Sequence, residues 1–224
     1  MDRFSFEAIG QVRCDGRYKF EAPRQGVFSS ARAVIELNPE FAGDAVKDLA
    51  DFDRIWVIFV FDRNIHASWK AHVSPPYTPE NRKYSLFATR SPYRPNPIGM
   101  SCVKLDRIEN GRRLFISEHD LLDGTPIFDI KPYLAYVDSH PEASNGFALD
   151  EKSGSIEVEI SENLLLTIPE NKRKALIAVL AQDPRPGYQD DNERIYGIEF
   201  AGFDVRFTVS GNKLKVIEIK EKRS

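Results

Sequence analysis

The chain has 224 residues, of which 42% are hydrophobic and 29% charged, and its net charge is −3. That allows one large domain or one domain with a small satellite, with apolar content enough for a proper core. The balance excludes a wholly basic nucleic-acid binder, no apolar run approaches the ~18 residues of a membrane-spanning helix, and Cys14 and Cys102 stand too far apart for a disulfide framework or zinc knuckle.

The N-terminal residues carry Asp2 and no apolar core segment, so no signal-peptide pattern is read and a cytoplasmic setting is expected. Residues 6–12 are apolar enough for a first strand. A polar loop follows over residues 14–30 and contains Pro23, Arg24, Gln25 and Gly26. Residues 33–37 read as a short strand that stops at Asn38 and Pro39, and residues 45–50 as a short helix. Residues 55–61 (Ile-Trp-Val-Ile-Phe-Val-Phe) form a continuous apolar run of strand length, which predicts a strand buried on both faces. Pro75, Pro76 and Pro79 keep residues 62–79 irregular, and residues 84–88 read as another strand.

Residues 102–109 and 112–117 flank Asn110 and Gly111. That pair is the strongest short-range hairpin signal, because both turn residues take positive φ. Beyond Tyr133 the pattern changes. Residues 140–155 are loop-like, and Ser153, Gly154 and Ser155 read as a hinge or a domain end. Residues 156–160 alternate as a strand. Residues 170–182 predict a helix with Leu176, Val179 and Leu180 on one face, and Thr167 with Glu170 fits a capping box. Residues 195–200, 203–209 and 214–219 read as a meander. The expected fold is mainly β: an N-terminal β-barrel over residues 1–152 and a small C-terminal α+β domain over residues 153–224.

Two dense segments leave the outer ends of the hairpin and are expected at one end of a sheet: Ala-Thr-Arg-Ser-Pro-Tyr-Arg-Pro-Asn-Pro-Ile-Gly-Met-Ser (residues 88–101) and Asp-Gly-Thr-Pro-Ile-Phe-Asp-Ile-Lys-Pro-Tyr (residues 123–133). Prolines stiffen each backbone and a glycine permits close approach. Arg90, Arg94 and Asn96 sit on the first; Asp123, Thr125, Asp129 and Lys131 sit on the second. A rigid loop pair displaying both charges reads as a site, and the plainer alternative is barrel turns with solvated charges. Charge is also segregated. Residues 82–113 hold eight basic residues against Asp106 and Glu109, a balance of +6, while residues 118–170 hold twelve carboxylates against Lys131 and Lys152, a balance of −10. A basic face for a polyanion and ordinary solvated faces both fit that pattern. No dinucleotide-binding glycine motif, phosphate-binding loop or nucleophile elbow occurs, and His66, His72, His119 and His140 lack metal-ligand spacing, so no metal is expected.

The two segments together resemble the TrmO (YaeB-like) family of S-adenosylmethionine-dependent tRNA methyltransferases. Pro23-Arg24-Gln25, residues 56–61 and residues 181–186 extend the resemblance over nearly the whole chain. It implies a β-barrel methyltransferase rather than a Rossmann one. It also implies a homodimer that methylates N6 of threonylcarbamoyladenosine at position 37, beside the anticodon of threonine tRNA. The residues it assigns to the methyl donor are Pro23, Arg24, Gln25, Asp62, Arg63, Arg90, Met100, Asp123, Gly124, Thr125 and Pro126. Members of the family often carry histidine and glutamine where this chain has Asp62 and Arg63, so backbone contacts carry over there and side-chain contacts do not.

The donor offers a carboxylate for an arginine fork, a sulfonium for oxygens and an adenine for amides and apolar walls. Asp129, Tyr133 and Asp183 are candidates to take the N6 proton. Arg94 is expected to read the threonyl carboxylate bidentately, with Asn96, Lys131 and Arg185 also at the substrate. Arg112, Arg113, Lys172, Arg173 and Lys174 are expected to touch phosphates. Two readings from other classes stay open: a non-catalytic RNA-binding barrel and a small-molecule methyltransferase on the same barrel.

Overall fold

A computed structural model describes residues 4–16, 26, 31–75, 82–148, 156–185, 191 and 194–222. In chain order the strands are β1 (Gly10–Cys14), β2 (Arg32–Leu37), β3 (Arg54–Val60), β4 (His72–Val73), β5 (Tyr84–Ser85), β6 (Ile98–Glu109), β7 (Arg113–Ser117) and β8 (Pro126–Pro132). Then come helix α1 (Ala135–Asp138), strand β9 (Glu157–Glu159), helices α2 (Glu162–Leu166) and α3 (Glu170–Ala181), and strands β10 (Tyr196–Phe200), β11 (Phe203–Ser210) and β12 (Lys213–Glu221). The chain forms two compact units: Met1–Asp15 with Gln25–Trp69 and Pro92–Pro141, and Gly16–Arg24 with Lys70–Ser91 and Glu142–Ser224. The division at 152/153 expected from the sequence lies outside the described residues.

The first unit is a closed barrel in the order β1-β2-β7-β6-β3-β8. Its core is an alternating set: Val12, Ala33, Ile35 and Leu37 meet Ile55, Val57, Phe59, Val103, Leu105, Leu114, Ile116 and Ile127. On β3 Ile55, Val57 and Phe59 are buried on one face, whereas on the other Trp56 and Ile58 are only half-buried and Val60 alone is buried, so the expected burial on both faces is met only at the strand's end. The hairpin turn is as the sequence predicts, with Asn110 at φ 53° and Gly111 at φ 58°. The strand expected over residues 84–88 is only a two-residue bridge to β4, followed by a 3-10 turn at Leu86–Ala88. The expected short helix near residue 45 is likewise a 3-10 helix, Gly43–Asp51. β8 has no sequence-based expectation; its prolines stand at its first and last positions, where a sheet tolerates a missing donor.

Two bulges re-aim side chains on the barrel wall. Ile58 of β3 pairs with Asp129 and Phe59 with Ile127, so Phe128 is an extra residue on β8. Ile127 and Ile130 therefore both pack toward the core while Asp129 is turned outward, which a strict two-residue period forbids. On β6 the register shifts between Leu105 and Arg107, which lays the Arg107 guanidinium over the Phe115 ring at 3.6 Å.

The second unit holds the sheet β10-β11-β12-β9, with β9 parallel to the start of β12. Leu176, Val179 and Leu180 of α3 join Ile198, Val205, Phe207 and Leu214 in its core. The predicted helix and meander are found, but the capping box is not. Pro169 is the N-cap of α3 without a side-chain cap, and Thr167 belongs to the end of α2, where its hydroxyl donates back to Asn163 O at 3.4 Å. No helix among the described residues is long and apolar enough to cross a membrane.

Candidate active site

Val60 at the end of β3 pairs with Ile98 at the start of β6, and Phe59 pairs with Ile127 at the start of β8. The segments that adjoin these positions therefore share one end of the barrel: residues 61–65, 92–97 and 123–125. Phe61 N–H donates to Pro97 O at 2.8 Å, which ties the first to the second. Asp62–Asn64 forms a 3-10 turn, and from it Arg63 Nη2 donates to Asp123 O at 3.4 Å. Two of the segments assigned to the donor are thus brought into contact. Arg94 and Asn96 lie on the segment that enters β6 at the same end.

The Asp123–Pro126 turn is held by β1. Gly124 N–H donates to Val12 O at 2.8 Å, and Val12 N–H donates to Thr125 O at 3.0 Å. The Asp123 carboxylate accepts from Cys14 N–H at 3.1 Å, so it is engaged in shaping the turn. Gly124 has φ 80°, and nothing lies within 4 Å of where a Cβ would stand. The glycine is required by its backbone angle rather than by crowding.

Sequence reasoning missed the segment that precedes this turn. His119 is 3% exposed and accepts from Leu121 N–H through Nδ1 at 3.2 Å. Its Nε2 is buried and has no hydrogen-bond partner among the described residues. Burial pulls its pKa down to about 4. Asp120 accepts from the Ser101 hydroxyl at 2.6 Å. Glu118, at φ 55°, reaches Arg54, and this hydrogen bond holds the guanidinium firmly charged. A serine at an inward position of β6, between Gly99 and Val103, is the one sequence signal for the Ser101–Asp120 pair.

The three candidates for proton acceptor are separated. Asp129 faces outward beside Ile58, and Ile58 pairs on its other side with Met100, which is 61% exposed. Asp129 and Met100 therefore flank one residue, roughly 10 Å apart at two strand spacings. One Asp129 oxygen accepts from Ile130 N–H at 2.9 Å and the other pairs with Lys131 Nζ at 2.8 Å. Tyr133 lies beyond the far end of β8, roughly 20 Å from Pro126 along the strand, and its ring packs against Trp56 at 5.8 Å. Asp183 is in the second unit, 4% exposed, and both its oxygens are taken by Arg185 at 2.7 and 2.8 Å.

Arg112 and Arg113 lie at the hairpin end, away from the Asp123 turn. Arg112 Nε donates to Leu37 O at 2.6 Å, and Arg113 is paired with Glu36 and Glu109 at 3.7 and 3.6 Å. With Arg107, which pairs with Glu109 at 2.9 Å, Arg113 thus has its charge matched within the barrel wall. In the second unit, Arg90 is exposed, Lys172 lies on the first turn of α3 and Lys174 at the start of the second, and Arg173 Nε donates to Ile168 O at 2.9 Å. Pro23, Arg24 and Gln25 lie outside the described residues.

A sequence model of the tRNA-methyltransferase O N-terminal domain matches residues 11–139, and one of the TrmO C-terminal domain matches residues 154–222. The chain belongs to the TrmO family. It is 36% identical over 233 residues to the tRNA (adenine(37)-N6)-methyltransferase of Escherichia coli (strain K12), covering 98% of this chain and 99% of that one. It is 38% identical over 213 residues to a putative S-adenosylmethionine-dependent methyltransferase, RcsF, of Pseudomonas aeruginosa, covering 91% of each. The crystal structure of TrmO from Pseudomonas aeruginosa superposes with a TM-score of 0.77 at 32% identity, covering 98% of this chain and all of that one.

The barrel end fits such a donor in kind. The open space over Gly124, the Arg63 guanidinium and the exposed side chains of Ile98 and Met100 offer a close backbone approach, a cation and an apolar surface within one unit.

Proposed function

We propose that this chain methylates N6 of adenosine 37 in tRNA with S-adenosylmethionine as donor. The observation that carries the reading is the match to the Escherichia coli enzyme over 98% of the chain. The contact between Arg63 and Asp123, which joins two donor-assigned segments, supports it. The donor supplies an activated methyl group on its sulfonium. Asp62, Arg63, Met100, Asp123, Gly124, Thr125 and Pro126 hold it at the barrel end; the family resemblance alone adds Pro23, Arg24, Gln25 and Arg90 to the donor residues. The chain's main contribution is alignment of donor and acceptor, worth up to ~7–11 kcal/mol in well-oriented reactions.

Asp129 takes the N6 proton. Of the two candidates on the outer face it is the one nearer Met100, across Ile58, whereas Tyr133 packs on Trp56 toward the other end; Lys131 orients its carboxylate. The substrate is the threonylcarbamoylated adenosine, whose carboxylate meets Arg94 while Asn96 stands beside it. The chain works in the cytoplasm as a homodimer. Phe6, 70% exposed and close to Phe128 on the barrel wall, is the apolar surface that supports pairing.

The test is methyl transfer from labelled S-adenosylmethionine to tRNA from a strain lacking the enzyme, with mass spectrometry of the nucleosides. A methylated threonylcarbamoyladenosine is expected. RNA binding indifferent to the donor, without transfer, would return the chain to a non-catalytic RNA-binding barrel.

A further inference from the structure

Residues 61–67 leave the donor end of the barrel as a tied loop, and the chain runs on through Trp69. Asn64 N–H donates to Phe61 O at 2.8 Å, Ile65 N–H to Asp62 O at 3.4 Å and Ala67 N–H to Asn64 O at 3.0 Å. A loop tied in this way presents its side chains in a set arrangement. The stretch through Trp69 spends two large apolar residues on solvent: Ile65 is 53% exposed and Trp69 52%. Neither belongs to the barrel core. The chain has only two tryptophans, and the other, Trp56, is engaged with Tyr133 and donates to Asp138 Oδ2 at 3.0 Å.

The charge around Trp69 is one-sided. Within the first unit, residues 63–69 hold Arg63 and His66 and no Asp or Glu. An exposed aromatic face on a loop that also carries Arg63 matches what a single-stranded nucleic acid takes: a surface for stacking a base and a cation for its backbone. The loop starts at Arg63, whose guanidinium contacts the donor turn at Asp123 O. Trp69 follows six residues later, so its ring lies within the reach of an anticodon loop engaged at that end.

We infer that Trp69 stacks on an anticodon-loop base and so positions the target adenosine over the donor site. This rests on the proposed tRNA methyltransferase activity and adds to it a substrate-positioning residue outside the donor set. Stacking reads no base edge, so Trp69 contributes affinity and placement without sequence preference.

The experiment compares Trp69→Ala and Trp69→Phe with the wild-type protein, using a synthetic threonylcarbamoylated anticodon stem-loop RNA at saturating S-adenosylmethionine. Trp69→Ala is expected to raise KM for the RNA about 5- to 150-fold, the range of one lost base–aromatic stack. Donor affinity by calorimetry and the slope of log K against log salt should be unchanged, because no phosphate contact is lost. Trp69→Phe should recover much of the loss. In a Trp56→Phe protein, fluorescence of the remaining Trp69 should be quenched as the RNA binds. A KM within twofold of wild type in folded Trp69→Ala, or no quenching, overturns the inference and leaves the methyltransferase reading intact. A loss accompanied by subunit dissociation in sedimentation also overturns it, by assigning Trp69 to a protein contact. An inactive wild-type protein would sink the function itself, and this inference with it.

Discussion

Asp183 and Arg185, two residues apart, close a bidentate ion pair: Nε donates to Oδ1 at 2.8 Å and Nη2 to Oδ2 at 2.7 Å. The Arg185 backbone N–H adds a third contact to Oδ1 at 3.3 Å, and Asp183 itself holds φ 46°. The exposures of the two side chains are 6% and 13%, so the pair is shielded from solvent. Arg185→Ala should therefore destabilise the second unit by about 3–5 kcal/mol, the cost of stranding a buried charge. Urea unfolding measures this. Normal stability with lost methyl transfer would return Arg185 to the substrate.

Asp129→Asn should lower kcat by about 10²–10⁴-fold, the usual worth of a general base, while leaving donor affinity near wild type. Single-turnover kinetics with parallel calorimetry separates the two effects. A variant as fast as wild type would remove Asp129 from the proton path.

Gly124 stands at φ 80° with open space above it. Gly124→Ala should cost about 1–2 kcal/mol in stability, the penalty of a left-handed L-residue. Gly124→Asn should cost less, because asparagine tolerates that region. If donor affinity falls equally in both, bulk over the turn excludes the donor. If only the alanine variant loses affinity, the backbone angle is the requirement.

His119 gives the protein a definite response to acid. Burial lowers its folded value to about 4 from 6.5, so between those pH values the unfolded chain binds the extra proton. Stability is fully present above about pH 6.5 and is lost as pH falls toward 4, by up to about 3 kcal/mol from this group. His119→Gln should flatten the slope of unfolding free energy against pH across that window. An identical slope in the variant would assign the acid sensitivity to carboxylates elsewhere.

Arg94→Ala should erase most of the preference for threonylcarbamoylated over unmodified tRNA, a preference of at least about tenfold if a buried charge pair is lost. Parallel kcat/KM measurements on the two tRNAs check this. Undiminished discrimination would move Arg94 to the donor or to a phosphate.

Much of the molecule is legible in the chain itself. Asn110 and Gly111 set the hairpin because few other residue pairs tolerate two positive φ values, and the apolar period of residues 170–182 sets the one long helix. The motif at residues 123–133 is recognisable because turn geometry and close approach restrict which residues serve there. Tertiary structure alone decides where the side chains of that motif point. The extra residue Phe128 reverses the alternation of β8, which places Asp129 outside beside Ile58, across that residue from Met100. The pairing of Asp183 with Arg185, and of Arg113 with Glu36 and Glu109, is equally invisible in composition, because a charge counted along the chain says nothing of its neighbour across a turn or a sheet. Local backbone preference is a property of a few adjacent residues and survives reading in one dimension. Register, facing and charge partnership come from residues far apart in sequence, and only closure of the barrel brings them together.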